Sequence, residues 1–198
     1  MEFVRRVDVQ TETIEKYVRE GKLVPDLVVP MSEHCTFKYF KEESLERYAK
    51  ENGWTLIDDS NRKDMFMDMI RQMDMSYSYK PVLIKAILFY ADNKGRIKLD
   101  DIVSYFRAFF ENRRNQNLVV EKAKSVYLNK QITDKEILKN ILIYPYKRFE
   151  DMGILKHTKT FGIIQVDESV WKKLTDDEKK EIEKICDGKL EVYYEKLK

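Results

Sequence analysis

The residues that could carry covalent or metal chemistry are few and poorly spaced for it. His34 and His157 are the only histidines, and neither sits at a metal-binding spacing from another ligand. Cys35 adjoins His34, but neighbours in a strand point to opposite faces, so the pair makes no nucleophile–base dyad. Cys186 is the only other cysteine, too far along the chain for a disulfide framework or a thiolate cluster. Asp58-Asp59 and Asp100-Asp101 read as turn or cap residues. No G-x-S-x-G, H-E-x-x-H or G-x-x-x-x-G-K-[ST] occurs. The expectation is no catalytic residue, no metal and no cofactor. A metal-dependent nuclease built from scattered Asp, Glu and Lys is the enzymatic alternative.

What the sequence does concentrate is positive charge. Over 198 residues the formal net charge is only +2, yet residues 94–166 hold 15 Lys and Arg against 8 Asp and Glu. The remainder carries 22 basic and 27 acidic groups. Such a surplus is the footprint expected for a polyanion partner, and its bland counterpart is a solvated surface neutralised by the acidic flanks. Arg113 and Arg114 end an aromatic-rich segment, and Lys156 and Lys159 fall on a hairpin-like one. Asn112, Asn115, Gln116 and Asn117 could hydrogen-bond bases or backbone. Arginines at a helix C-terminus also serve the helix dipole.

These residues depend on elements that the periodicity outlines. Thr11 to Glu20 reads as a helix with Ile14, Tyr17 and Val18 inward, stopped by Gly21. Leu23 to Val29 is β-prone, interrupted by Pro25 and ended by Pro30. After a turn-like patch, Met31 to His34, Thr36 to Phe40 is the returning strand. Glu42 to Asn52 is helical, with Leu45, Tyr48 and Ala49 inward and Gly53 closing it. Asn61 to Asp74 places Met65, Phe66, Met69, Ile70 and Met73 on one side. A methionine stripe serves either as core filling or as an adaptable partner surface.

Beyond a connector at Ser76 to Tyr79, Pro81 suits the first position of a helix running to about Asp92. A turn at Asn93–Gly95 and a short extended step, Ile97–Leu99, lead to a helix capped by Asp100 or Asp101. Thr133 with Glu136 and Thr175 with Glu178 form capping boxes. The first starts a helix to Ile143; the second starts a charged terminal helix with a bend expected at Gly188. Between them, Pro145 opens a short helix ended by Gly153. Ile154–His157 and Phe161–Val166 then read as strands around Thr158-Lys159-Thr160. Trp54 and Trp171 border apolar runs and read as core anchors. The longest uncharged apolar run, Ala86 to Ala91, cannot cross a bilayer, and no apolar stretch follows the early arginines as a signal peptide requires. A cytoplasmic chain without membrane contact is expected.

The run Thr13-Ile14-Glu15-Lys16-Tyr17-Val18-Arg19-Glu20-Gly21-Lys22-Leu23-Val24-Pro25, followed by the hairpin-like span to Phe40 and the helix opening Glu42-Glu43-Ser44-Leu45, resembles the winged helix-turn-helix of MerR-like regulators and phage excisionase-like proteins. The likeness covers about a quarter of the chain. It implies that the helix before the glycine enters a DNA major groove and that the hairpin is a wing on the backbone. The matching outward positions are Thr11, Thr13, Lys16 and Arg19, with Lys22 at the turn and His34 and Lys38 on the wing. Met1 to Asp8 is too short for the helix that opens the family's module. The first 50 residues, with 9 basic and 10 acidic side chains, are not a basic patch.

Pro81 to Leu174 repeats the order helix, short step, helix, helix, hairpin, again a winged-helix-like arrangement. Ser78 to Leu88 together with Tyr144 to Glu150 is similar to tail regions of bacterial DEAD/DEAH-type helicases and restriction-associated proteins. That likeness implies an accessory domain presenting DNA to a motor, a nuclease subunit or the rest of a longer chain. The expected architecture is mainly α with small β-hairpins, in two packed winged-helix-like units. Residues 1–57 form the first unit, 58–80 a connecting amphipathic helix and 81–198 the second. The expected function is non-catalytic DNA binding through phosphate backbone and major groove, in a larger DNA-processing or defence protein. The rival is a protein-interaction module on the same scaffold, docking through the methionine stripe or the aromatic helix Tyr105–Phe110.

Overall fold

A computed structural model describes residues 6–9, 11–32 and 35–198. Mainly helical, the chain carries one two-stranded and one three-stranded antiparallel sheet among the described residues. Met1 to Arg5, Gln10, Glu33 and His34, and with them the wing position read for His34, lie outside that description.

Helix α1 (Thr11–Arg19) buries Ile14 and packs Tyr17 and Val18 beside it. Gly21, at φ 73°, reverses the chain so that Lys22 and Leu23 donate their amides to the Tyr17 carbonyl at 2.9 and 3.1 Å. Leu23 thereby drops into the same core, and the strand predicted from Leu23 begins only at Leu27. Strand β1 (Leu27–Ser32) runs through Pro30 instead of ending there. Among the described residues its sheet has one other strand, β2 (Cys35–Tyr39), so the missing proline N–H interrupts no inner ladder there. The register shifts between Pro30 and Ser32. Asp26 fastens the hairpin to helix α2 (Glu42–Asn52), accepting from the Lys41 amide at 2.8 Å and the Ser44 hydroxyl at 2.9 Å. Leu45, Tyr48 and Ala49 of α2 complete this small core, and Val7 bridges Leu56 at its edge.

A larger core takes the rest. Its elements are α3 (Arg62–Arg71), α4 (Tyr79–Tyr90), β3 (Arg96–Lys98), α5 (Leu99–Asn115), α6 (Asp134–Ile143), α7 (Pro145–Asp151), β4 (Leu155–Thr158), β5 (Ile163–Val166), α8 (Glu168–Trp171) and α9 (Asp176–Glu195). Helix α3 lies against both α8 and α9, so Met67 is buried along with Phe66 and Ile70, although it falls outside the predicted stripe. Met65 and Met69 are left half-buried at the rim. Phe106 and Phe110 of the aromatic helix point into the core, leaving Tyr105 and Phe109 partly covered.

Both predicted capping boxes are present, at Thr133/Glu136 and Thr175/Glu178. Strand β5 begins at Ile163, two residues later than predicted, because Phe161 closes a 3₁₀ turn, and three helix readings also differ. Pro81 lies in the first turn of α4 but not at its first residue, because Tyr79 already belongs to the helix and Ser78 is buried. Helix α5 starts at Leu99, so Asp100 and Asp101 sit inside its first turn, where they complement the helix dipole, and neither caps it. Helix α9 runs unbroken through Gly188, since one glycine weakens a helix only modestly and the buried face from Ile182 to Tyr194 holds it.

The second sheet has strand order β3-β5-β4. Ile97 opposes Ile164, and Leu155 opposes Val166, on the side facing the core. The turn into β3 is shaped by Gly95, at φ 73°, with Trp171 lying over it and donating its indole N–H to the Asp92 carbonyl at 3.1 Å. A Cβ at Gly95 would come 2.8 Å from Trp171 Cγ. Gly95→Ala should therefore cost about 2–4 kcal/mol, combining left-handed backbone strain with overpacking. Urea denaturation would report it as a lower midpoint at unchanged m-value.

Candidate nucleic-acid interface

The alternation Arg96-Ile97-Lys98 puts the apolar residue inward and both cations outward. Antiparallel pairing extends this across the sheet. Arg96 and Lys156 both oppose Gln165, and Lys98 and Thr158 both oppose Ile163. Residues directly opposite share a face, and strands lie about 4.8 Å apart, so these side chains form two short rows on the outer surface. Lys94 precedes the sheet, its carbonyl accepting from the Gln165 side-chain Nε2 at 3.4 Å. Lys159 follows β4 in a single 3₁₀ turn, Lys159–Phe161.

Asp92 ties down one of these cations. It accepts from the Arg96 guanidinium Nε at 2.9 Å and from the backbone amides of Arg96 and Lys94. The Arg96 guanidinium, aided by those amides, pulls the Asp92 carboxyl down to about 2. Lys98, Lys156 and Lys159 are exposed and form no ion pair with any carboxylate among the described residues.

The other predicted contacts are placed differently. Arg113 and Arg114 sit at the far end of α5, about 20 Å from Leu99 at 1.5 Å per residue, so the fold does not bring them to the sheet. The Arg113 guanidinium lies 3.2 Å from the centroid of the Tyr194 ring and donates to the Val119 carbonyl at 2.7 Å. Arg114 donates to the Tyr127 carbonyl at 2.8 Å. Both are engaged within the chain, holding the segment after α5 in place.

On the N-terminal unit, Thr13 is half-buried. Lys16 and Lys22 both converge on Glu20, at 3.8 and 2.8 Å, and the hydrogen bond from Lys22 holds the Glu20 carboxyl below its usual range. Arg19 is exposed beside Glu20, and Lys38 is exposed on β2. The outward face of α1 also carries Glu12 and Glu15, so its charge is mixed.

Elsewhere the polar clusters offer less. An open groove of about 810 Å³ lies between α3 and α7, with Lys80, Lys147 and Arg148 on its walls. Asp8, Glu12, Asp68, Asp74 and Asp151 line it too, which makes it unfavourable for a polyanion. Asp58 accepts from Ser60 and Asn61 in a turn, as the sequence suggests, and Asp59 lies 3.7 Å from Arg62. Burial pushes the Cys186 thiol up to about 12, which leaves it unreactive. Among the described residues no three His, Cys, Asp or Glu side chains gather as metal ligands, and no helix is long and apolar enough to cross a membrane.

Lys98, and with it Arg96 and Lys94, is what residue-by-residue reading leaves out of the site. The available signal was the polar–apolar–polar triplet directly after the Gly95 turn. No protein-family model, no curated protein and no solved structure matches the chain.

Proposed function

We propose that the chain is a non-catalytic DNA-binding module with two winged-helix-like units, gripping a sugar-phosphate strand on the outer face of the β3-β5-β4 sheet. The observation that carries this reading is the set of exposed, unpaired lysines Lys98, Lys156 and Lys159 on one sheet and its turn. Lysines held without carboxylate partners keep counterions that a phosphate backbone can displace. The winged-helix reading is supported by element order: a helix, a strand, further helices, then a hairpin to whose inner strand the first strand is added. In that arrangement α7, directly before the hairpin, takes the place of a groove-facing helix, but its Lys147 is paired with Glu150 and Asp151, so the sheet face carries the contact. Arg113 and Arg114 serve the fold, and Lys16, Arg19, Lys22 and Lys38 contribute at most a secondary contact. Such a module would act beside a motor or nuclease, as the likeness to helicase tails implies.

Three phosphate contacts predict that affinity for a short duplex falls about 40-fold between 50 and 200 mM salt. Fluorescence anisotropy across that range is the test, and an affinity that stays flat overturns the reading.

One observation favours the protein-interaction alternative for the N-terminal unit. Leu27, Val28, Met31, Phe37 and Tyr39 are all exposed on the β1–β2 hairpin, more apolar surface than a free hairpin normally shows. That reading predicts that substitutions in the N-terminal unit leave DNA affinity unchanged.

A further inference from the structure

Phe161, at the tip of the β4–β5 hairpin, is 74% exposed, the highest value among the exposed large apolar side chains. It makes no aromatic contact among the described residues. The tip that carries it is built to hold still. Gly162, at φ 58°, donates its amide to the Lys159 carbonyl at 3.2 Å, and its own carbonyl accepts from the Leu99 amide at 2.9 Å. The ring is thus displayed from a turn tied to the first residue of α5. Lys159 stands two residues before it, and Lys98 stands opposite Ile163 just after it.

A lone aromatic ring on the same turn as Lys159, and close in register to Lys98, suits a flat partner bordered by negative charge. An apolar protein pocket would gain nothing from the lysines. A nucleobase with its flanking phosphates meets both requirements. Within an intact duplex the base faces are closed by their neighbours, so only an unpaired or unstacked base offers one. We propose, building on the DNA-binding reading, that Phe161 is a base-stacking residue and that the module prefers DNA with unpaired bases to blunt duplex.

The test uses the full chain and three labelled probes in anisotropy: a single strand, its blunt duplex, and that duplex with a thymine overhang. The expected result is roughly tenfold tighter binding to the single strand and the tailed duplex than to the blunt one. Phe161→Ala should bring all three to the blunt-duplex affinity, with the salt dependence on blunt duplex unchanged. Phe161→Trp should restore the preference, and its added indole emission should be quenched by the single strand. The exposed ring supports no core contact, and a thermal melt would verify that each variant folds.

Equal affinity for tailed and blunt duplex in the wild type overturns the stacking role while leaving phosphate binding standing. A Phe161→Ala variant that keeps the preference, or loses affinity equally on every probe, also overturns it. Failure to bind any of the three probes removes the DNA-binding reading itself.

Discussion

Lys98→Glu, Lys156→Glu and Lys159→Glu combined should lower DNA affinity at least 100-fold and leave the melting temperature almost unchanged. Each substitution removes one phosphate contact and adds a repulsive charge, and three lost contacts should flatten the salt slope by about 2.7. The fold should tolerate them, because all three side chains are exposed and make no ion pair among the described residues. Lys98 directly precedes α5, where a carboxylate complements the helix dipole. Arg113→Glu should do the opposite. It strips the guanidinium from the Tyr194 ring and from the Val119 carbonyl, at a cost of about 2–3 kcal/mol, with affinity at low temperature changing less than about threefold. Anisotropy titrations paired with thermal melts separate the two variants. If the lysine variant binds nearly as well as the parent, or Arg113→Glu is the one that loses DNA, the sheet face is not the interface.

That division shows what a linear reading can and cannot reach. The capping boxes at Thr133 and Thr175 were legible because both partners lie within one helical turn of each other. Helix α2, its closing glycine and the order of the β4–β5 hairpin were legible for the same reason. The pairing of β3 with β5 was not, since Arg96-Ile97-Lys98 is too short to name a partner nearly seventy residues away. Without that pairing, Lys98 is one lysine among many. Arg113 and Arg114 illustrate the converse error. A pair of arginines at a helix end looks free in sequence, and only the fold supplies the ring of Tyr194 and the carbonyls of Val119 and Tyr127 that occupy them. Met67 was missed because α3 is packed between two other helices, and a single-stripe pattern assumes one neighbour.

Glu121 is the residue whose weight in the fold the sequence hides most fully, and its removal is the second large effect expected. In sequence it looks like a loop carboxylate beside Lys122; in the fold it is 4% exposed. One oxygen accepts from the Ser78 amide at 3.1 Å and the Ser78 hydroxyl at 2.5 Å, and the other from the Lys122 amide at 2.9 Å and the Tyr193 hydroxyl. Tyr194 closes the cluster by donating to the Ser78 hydroxyl and lying near the Val120 carbonyl. Burial pushes the Tyr194 phenol up to about 12 and raises Tyr193 as well, so both act as neutral donors. A single carboxylate thus joins the start of α4, the segment after α5 and the end of α9, and its negative charge meets the positive end of the α4 dipole. Glu121→Ala would leave the Ser78 amide and the Tyr193 hydroxyl buried without an acceptor, at a cost of about 3–5 kcal/mol. For a chain of this size that is a melting temperature lower by about 10 °C. Glu121→Gln, which keeps one carbonyl acceptor but turns an NH₂ toward donors, should fall between. Because the cluster lies beyond the far end of α5 from the sheet, both variants should bind DNA normally while folded. A Glu121→Ala protein melting within about 2 °C of the parent would mean that water reaches these groups and the cluster does not hold the helices together.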